Sequence, residues 1–354
     1  MKLGILTVYS VANYGSYLQA YALKDVLESM GHEVYHIKIR DDREIRNGFY
    51  KYPVTRRSLK YPIEELQKYL FGRKKYQIFQ NALSAFHEIE KTDISKLDGV
   101  IIGSDELWNI SEAEFRHPLY FGQGVDKTAT YGISVGKAKW EDFENMPEYQ
   151  KLIRKVDCIT VRDQRTQDII KKITGQTAPM VCDPTFLVPT NILYRKTSDK
   201  YLQDNKYILL YTYNFTISDW TKNYLIRYAK ERNLKLVSVG FYFSWCDYNV
   251  NCDPFEFSDV IRKAKCMVTT TFHGSVIGTL NFQKVLAVPF SPKVNDVMEK
   301  LGLSQSVIDK QISYEKFRDK LDKLKIDKEQ IKTRITIMKE ESMATIKSLL
   351  EIYN

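Results

Sequence analysis

Residues 266–280 constrain the architecture more firmly than any other stretch of the chain. The apolar run Cys266, Met267 and Val268 ends in three threonines, Thr269 to Thr271, and after Phe272, His273 and Gly274 a small-residue helix is expected from about Ser275. A buried strand running straight into a helix is the repeating unit of a parallel α/β sheet. His273 then sits at a strand-to-helix turn, the edge where open α/β sheets bind ligands. The helix start would direct free N–H groups and the positive end of its dipole at an anion beside the imidazole. A lone histidine beside a phenylalanine is more often packed or solvated than catalytic, so the rest of the chain has to decide its role.

The same unit recurs along the chain. Residues 3–9 read as a buried strand, 10–16 as a turn, 17–30 as a helix closed by Gly31, and 33–39 as a second strand. The turn carries Asn13, Tyr14 and Gly15, where glycine permits close backbone approach to a ligand. It lacks the three-glycine dinucleotide fingerprint, so no NAD site is read there. Residues 40–60 are irregular and basic, and 63–89 are helical. The strand at 97–102 ends in Gly103, Ser104, Asp105, Glu106, Leu107, Trp108 and Asn109, either a polar cluster suited to sugar hydroxyls or a helix N-cap by Ser104 or Asp105. Strands follow at 128–135 and 158–162, the second ending in Arg162, whose guanidinium suits carboxylate or phosphate. A short strand and a Pro-fixed turn occupy 179–186.

The second half restarts the pattern with strands at 207–213, 235–239 and 284–289 and helices at 218–232 and 254–263, besides the 266–280 unit. The expected fold is α/β, with two Rossmann-like domains facing a cleft. The first spans 1–186, a linker 187–205, the second 206–312, and a charged helical segment 313–354, whose partial apolar face is expected to pack on the protein.

Five scattered cysteines without a CxxC pair fit reduced thiols and neither disulfides nor a metal site. Without a secretory leader or an apolar run of about 18 residues, the protein is expected to be cytoplasmic. A net charge of +9 favours anionic partners, and the excess gathers between Arg46 and Lys75 among interleaved tyrosines. A solvated face, an anionic membrane surface or nucleic acid would each account for it, but no nucleic-acid motif accompanies it, and none is expected to bind.

Taken together, Asn13-Tyr14-Gly15 with Leu18-Gln19-Ala20-Tyr21-Ala22-Leu23, Gly103-Ser104-Asp105 ending in Trp108-Asn109, Val161-Arg162-Asp163, Asp183-Pro184-Thr185 and Thr271-Phe272-His273-Gly274 resemble the polysaccharide pyruvyl transferase family. The resemblance implies a fold like that of the B-type glycosyltransferases and transfer of pyruvate from phosphoenolpyruvate to two sugar hydroxyls, giving a cyclic ketal. The acceptor would be a cell-surface glycan or its lipid-linked precursor; separately, the basic cluster from Arg46 to Lys75 would suit a peripheral position at the inner face of the cytoplasmic membrane. No cofactor or metal is implied beyond the donor itself. By matching position, His273 would be the general acid, with bound phosphate favouring its protonated form, and Asp105 would hold or deprotonate an acceptor hydroxyl. Arg162, Lys293, Thr271, Gly274 and Ser275 would bind the donor, and Asn13, Tyr14, Gly15, Ser104 and Asn109 would line the cleft. The chain departs from the family pattern where Thr271 and Lys293 replace a frequent arginine and Glu106 a frequent glutamine. A nucleotide-sugar glycosyltransferase on the same architecture and a non-catalytic glycan-binding protein are the rival readings.

Overall fold

Strands buried on both faces must be covered by helices on both sides, and this chain builds two such sheets. The computed structural model describes residues 1–39, 59–197, 199 and 202–353. In the N-terminal domain, β1 (Lys2–Leu6), β2 (Glu33–Lys38), β3 (Glu88–Glu90), β4 (Gly99–Ile102) and β5 (Thr128–Thr130) form an all-parallel sheet of order β3-β2-β1-β4-β5. In the C-terminal domain, β6 (Tyr207–Tyr211), β7 (Lys235–Val239), β8 (Tyr248–Val250), β9 (Cys266–Thr269) and β10 (Val285–Ala287) pair in the order β10-β9-β6-β7-β8. The chain reverses direction across each sheet beside its first strand, so both clefts between diverging loops open at the carboxyl ends of the strands.

Helices α1 (Tyr14–Ser29), α2 (Pro62–Ala82), α3 (Trp140–Asn145), α4 (Pro147–Ile153) and α5 (Gln164–Thr174) serve the first half. In the second half lie α6 (Asp219–Glu231), α7 (Phe257–Lys263), α8 (Phe272–Leu280), α9 (Pro292–Lys300), α10 (Tyr314–Asp322) and α11 (Lys328–Leu350). The expected strand at 128–135 is shorter, and 158–162 contributes only isolated bridges, Ala129 with Cys158, Ile133 with Val161 and Val161 with Met180. The helical reading of 63–89 stops at Ala82, where the chain turns into the edge strand β3. The charged tail divides in two. Tyr314, Phe317 and Leu321 of α10 complete the core of the second domain, whereas α11 crosses back and buries Ile346, Leu349 and Leu350 against the first. Tyr353 ends that return, donating its hydroxyl to the Val100 carbonyl at 2.8 Å above Gly99, where a Cβ would meet its ring at 2.2 Å.

One apolar core runs through both domains, from Leu3 and Ile5 of β1 to Leu209 of β6 and Met267 of β9. Its bridge is aromatic. Tyr14 of α1 stacks on Phe257 of α7 with ring centroids 4.6 Å apart, and its hydroxyl exchanges 3.1 Å hydrogen bonds with the Cys252 backbone. Fully buried ring pairs of this kind add about 0.5–1.5 kcal/mol to the area they bury.

Of the basic cluster, Arg46, Lys51, Arg56 and Arg57 lie outside the described residues. Lys75, read from sequence as part of a charged run, is instead buried at the domain junction, its ammonium 4.3 Å from the Phe241 ring centroid and within 6 Å of those of Tyr14 and Phe79. Burial pushes its pKa down to about 7, against a smaller upward pull from Cys252. A lysine lowered in the folded state makes the unfolded chain bind more protons between that value and about 10.4, so its contribution to stability improves as pH rises through this window. Lys75→Met should therefore be more stable than wild type by a few kcal/mol, on the order of the shift, near pH 6. That gap should close toward pH 10 when both are unfolded in urea across the range.

Candidate active site

Two helix starts meet across the cleft. Asn13 caps α1, its Oδ1 accepting from the N–H groups of Gly15 at 2.9 Å and Ser16 at 3.4 Å. Thr271 caps α8, its Oγ1 accepting from the Gly274 N–H at 3.0 Å. A Cβ on Gly15 would lie 2.2 Å from His273 Cγ, so only glycine lets α1 come this close to the imidazole. Asn13 also spans the domains, donating to the Tyr213 hydroxyl at 3.1 Å and accepting from that of Tyr211 at 3.3 Å. The first turns of both helices bring N–H groups and positive dipole ends to one place, which suits an anion.

Behind His273 stands a buried charge cluster. Arg162 Nη2 is 3.3 Å from Asp105 Oδ1, while its Nη1 is 3.4 Å from Asp183 Oδ2 and 3.2 Å from Ser104 Oγ. Phe272 lies over the guanidinium at 4.7 Å. Asp183 Oδ1 caps the turn after it through Thr185, and Oδ2 reaches 3.5 Å from His273 Nε2, a charge contact at the outer limit of hydrogen-bonding distance. Burial alone would raise the Asp183 pKa. His273, Arg162 and Thr185 together outweigh it and hold the carboxyl below its usual range. Asp105 accepts from Ser16 Oγ at 2.9 Å and from the Glu106 N–H at 2.9 Å, bonds that fix it at a φ of 106°, rarely visited by a residue with a side chain.

The front of the cleft is mixed. A cavity of about 490 Å³ is lined by Asn13, Ser16, Asp105, Asn109, His273 and Lys293, among others. Lys293 pairs with Glu106, and burial lowers its pKa while Asp105 pulls it upward. Aromatic rings form the outer wall, Tyr213 stacked on Phe215 at 5.7 Å and Phe215 edge-on to Phe290 at 5.6 Å. Among the described residues, no three His, Cys, Asp or Glu side chains gather as a metal would require.

The model of the polysaccharide pyruvyl transferase family matches residues 13–291, a span holding every residue of this site except Lys293. The chain belongs to that family. It is thereby a transferase acting on polysaccharide. No curated protein matches the chain. Among solved structures it is similar to a putative UDP-N-acetylglucosamine 2-epimerase from Listeria monocytogenes (13% identity, 99% of this chain and 96% of that one, TM-score 0.56). It is also similar to the UDP-GlcNAc 2-epimerase from Neisseria meningitidis (12%, 99% and 100%, TM-score 0.55) and to a spinosyn rhamnosyltransferase (11%, 99% and 100%, TM-score 0.51). At such identities the likeness shows the fold, that of the B-type glycosyltransferases and related epimerases.

Against this family background, Asn13, Asp105, Asn109, Thr271, His273 and Lys293 come together around one cavity. Gly15 backs the imidazole. Arg162 and Ser104 stand one layer deeper, the guanidinium side chain only 1% exposed and shared between two carboxylates. Tyr14 turns into the domain junction. Gly274 packs on Thr269, and Ser275 bonds back to the Thr271 carbonyl at 3.1 Å. Neither Ser104 nor Asp105 caps an α-helix. Ser16, Asp183 and Tyr213 join the site without having been singled out from sequence, although Asp183 lay in a quoted motif.

Gly15→Ala should cost about 1–3 kcal/mol from overpacking and displace the His273 ring in a crystal structure. Asp183→Asn should cost roughly 3–5 kcal/mol, the penalty for breaking a buried charge pair. Because the Asp183 pKa is depressed, the deficit should be complete above about pH 3.9 and fade as acid protonates the wild-type carboxylate. Denaturant unfolding from pH 7 downward measures both.

Proposed function

We propose that this cleft transfers pyruvate from phosphoenolpyruvate to two hydroxyls of a sugar, forming a cyclic ketal and releasing phosphate. The observation that carries the reading is the convergence of the α1 and α8 N-termini on His273, with Lys293 beside them and Asp183 behind. A donor with both carboxylate and phosphate needs several fixed positive partners, which helix starts and Lys293 supply without a metal. The Arg162 cluster holds one guanidinium against two carboxylates, and one of these, Asp183, stands 3.5 Å from His273 Nε2.

In the reaction His273 gives its proton to the methylene carbon of the donor, and the adjacent carbon, now electron-poor, takes the oxygen of the first hydroxyl. That hydroxyl loses its proton to the site. The C–O bond to phosphate then breaks with its electron pair leaving on phosphate, and the second hydroxyl oxygen closes the ketal as its proton departs. Two hydroxyl protons are released, one replaces that spent on the methyl group and the other leaves with phosphate. To Asp105, which Ser16 holds, and to Glu112 and Glu114, which line the same cavity, we assign the orienting of the acceptor. Arg162 acts as a positioning residue that holds Asp105 and Asp183.

Titration calorimetry tests the donor. Phosphoenolpyruvate should bind saturably, whereas UDP-N-acetylglucosamine should not, and Lys293→Ala should weaken donor binding. His273→Gln should retain binding while turnover on a pyruvylatable glycan falls about 10²- to 10⁴-fold, the usual worth of a general acid. Glu106 competes with the donor for Lys293, so Glu106→Gln should tighten phosphoenolpyruvate by roughly tenfold, on the order of a good ion pair. Saturable nucleotide-sugar binding without phosphoenolpyruvate binding would move the assignment to glycosyl transfer.

A further inference from the structure

Helix α2 buries only part of its surface. Glu65, Lys75, Tyr76 and Phe79 face the protein, and its inner side is tied to the second domain by Tyr242 to Gln67 at 2.6 Å, Ser244 to Glu64 at 3.2 Å and Asn251 to the Phe71 carbonyl at 2.8 Å. On the opposite side Ile63, Leu66 and Leu70 project outward at 72%, 48% and 52% exposure, and Leu59, just before the helix, is 76% exposed. The spacing of three, then four, places these side chains in one stripe along the helix. A stripe of this kind is unusual on a face left to water.

The charges are sorted by side. Glu64 turns to Ser244 and Glu65 is buried, while Lys60 and Lys74 are exposed, Lys74 beside the stripe and Lys60 just before the helix. Lys60 also lies 5.3 Å from the ring centroid of the half-exposed Tyr61. Leucine and isoleucine on one side with lysines and tyrosine at its borders is the surface of a helix that lies in the headgroup region of an anionic bilayer. A second copy of the chain fits poorly, because a two-fold contact through the stripe would set one lysine border against another with its acids already turned inward. Among the described residues no helix is long and apolar enough to cross a membrane.

We infer that the outward stripe of α2 docks the protein peripherally on anionic membrane, with Ile63, Leu66 and Leu70 entering the headgroup boundary and Lys60 and Lys74 meeting the phosphates. Phe241 joins this helix to the cleft, contacting Lys75 at 4.3 Å and Tyr213 at 5.3 Å between centroids. Docking thus fixes the cleft close to the lipid surface.

Co-sedimentation of the full chain with vesicles tests the inference independently of any catalytic assay. The protein should pellet with phosphatidylglycerol mixed into phosphatidylcholine and remain in solution with phosphatidylcholine alone. The triple variant Ile63→Gln/Leu66→Gln/Leu70→Gln and the double variant Lys60→Gln/Lys74→Gln should each lower partitioning by about tenfold, with thermal unfolding unchanged as befits exposed positions. Raising the ionic strength from about 0.1 M to about 1 M, which shortens the screening length from roughly 10 Å to 3 Å, should release most of the wild type. Absence of pelleting, or pelleting that both variants retain, overturns the inference. So does light scattering that shows a dimer dissociated by the apolar triple variant, since the stripe would then be a self-contact.

Discussion

A single buried guanidinium organises the catalytic half of this molecule. Arg162 ends the segment 158–162, yet its side chain is claimed from both sides by Asp105 after β4 and by Asp183 from the turn that leads into the connecting segment. A fourth member, His273, comes from the other domain and brings its Nε2 within 3.5 Å of Asp183 Oδ2. The relative placement of the two sheets is therefore written into an electrostatic requirement as well as into packing. Removing any one partner leaves a charge in low dielectric, which is far costlier than the pair is stabilising.

Packing makes that requirement attainable. The Tyr14 ring on Phe257 and the return of α11 to the first domain hold the two sheets at one separation, and Gly15 uses the lack of a side chain to bring α1 against the imidazole. The same helix therefore presents an aromatic anchor and an Asn13-capped N-terminus in adjacent residues. Its first turn packs the domain junction through Tyr14 and meets the cleft through Asn13, Gly15 and Ser16. Phe215 and Phe290 line the same cavity as Asn13 and His273.

Much of this was legible beforehand because strands covered on both faces are apolar throughout. The runs at β4, β6 and β9 admit few other structures, and the helices between them give two parallel sheets. Edge strands β3 and β8 were missed, being three residues long and partly exposed, too short for an alternation to register. The turn chemistry carried Asn13, Gly15 and His273 to the cleft. Arg162 shows where such reading ends: residue type and strand-end position announce an anion partner, but not that carboxylates of the same chain already occupy that role. Ser16 and Asp183 were hidden for a related reason, since each acquires its meaning from a partner about ninety positions away. Lys75 looked like surface charge because its neighbours in sequence are basic, whereas its neighbours in space are rings.

The measurement that bears most directly on the central claim is a crystal structure of the protein grown with phosphoenolpyruvate. The account predicts donor density between the first turns of α1 and α8, in contact with His273 and Lys293, with the Glu106 pair to Lys293 opened and Arg162 still bound by Asp105 and Asp183. Donor density elsewhere on the molecule, or a guanidinium that has left its carboxylates to hold the donor, would contradict it.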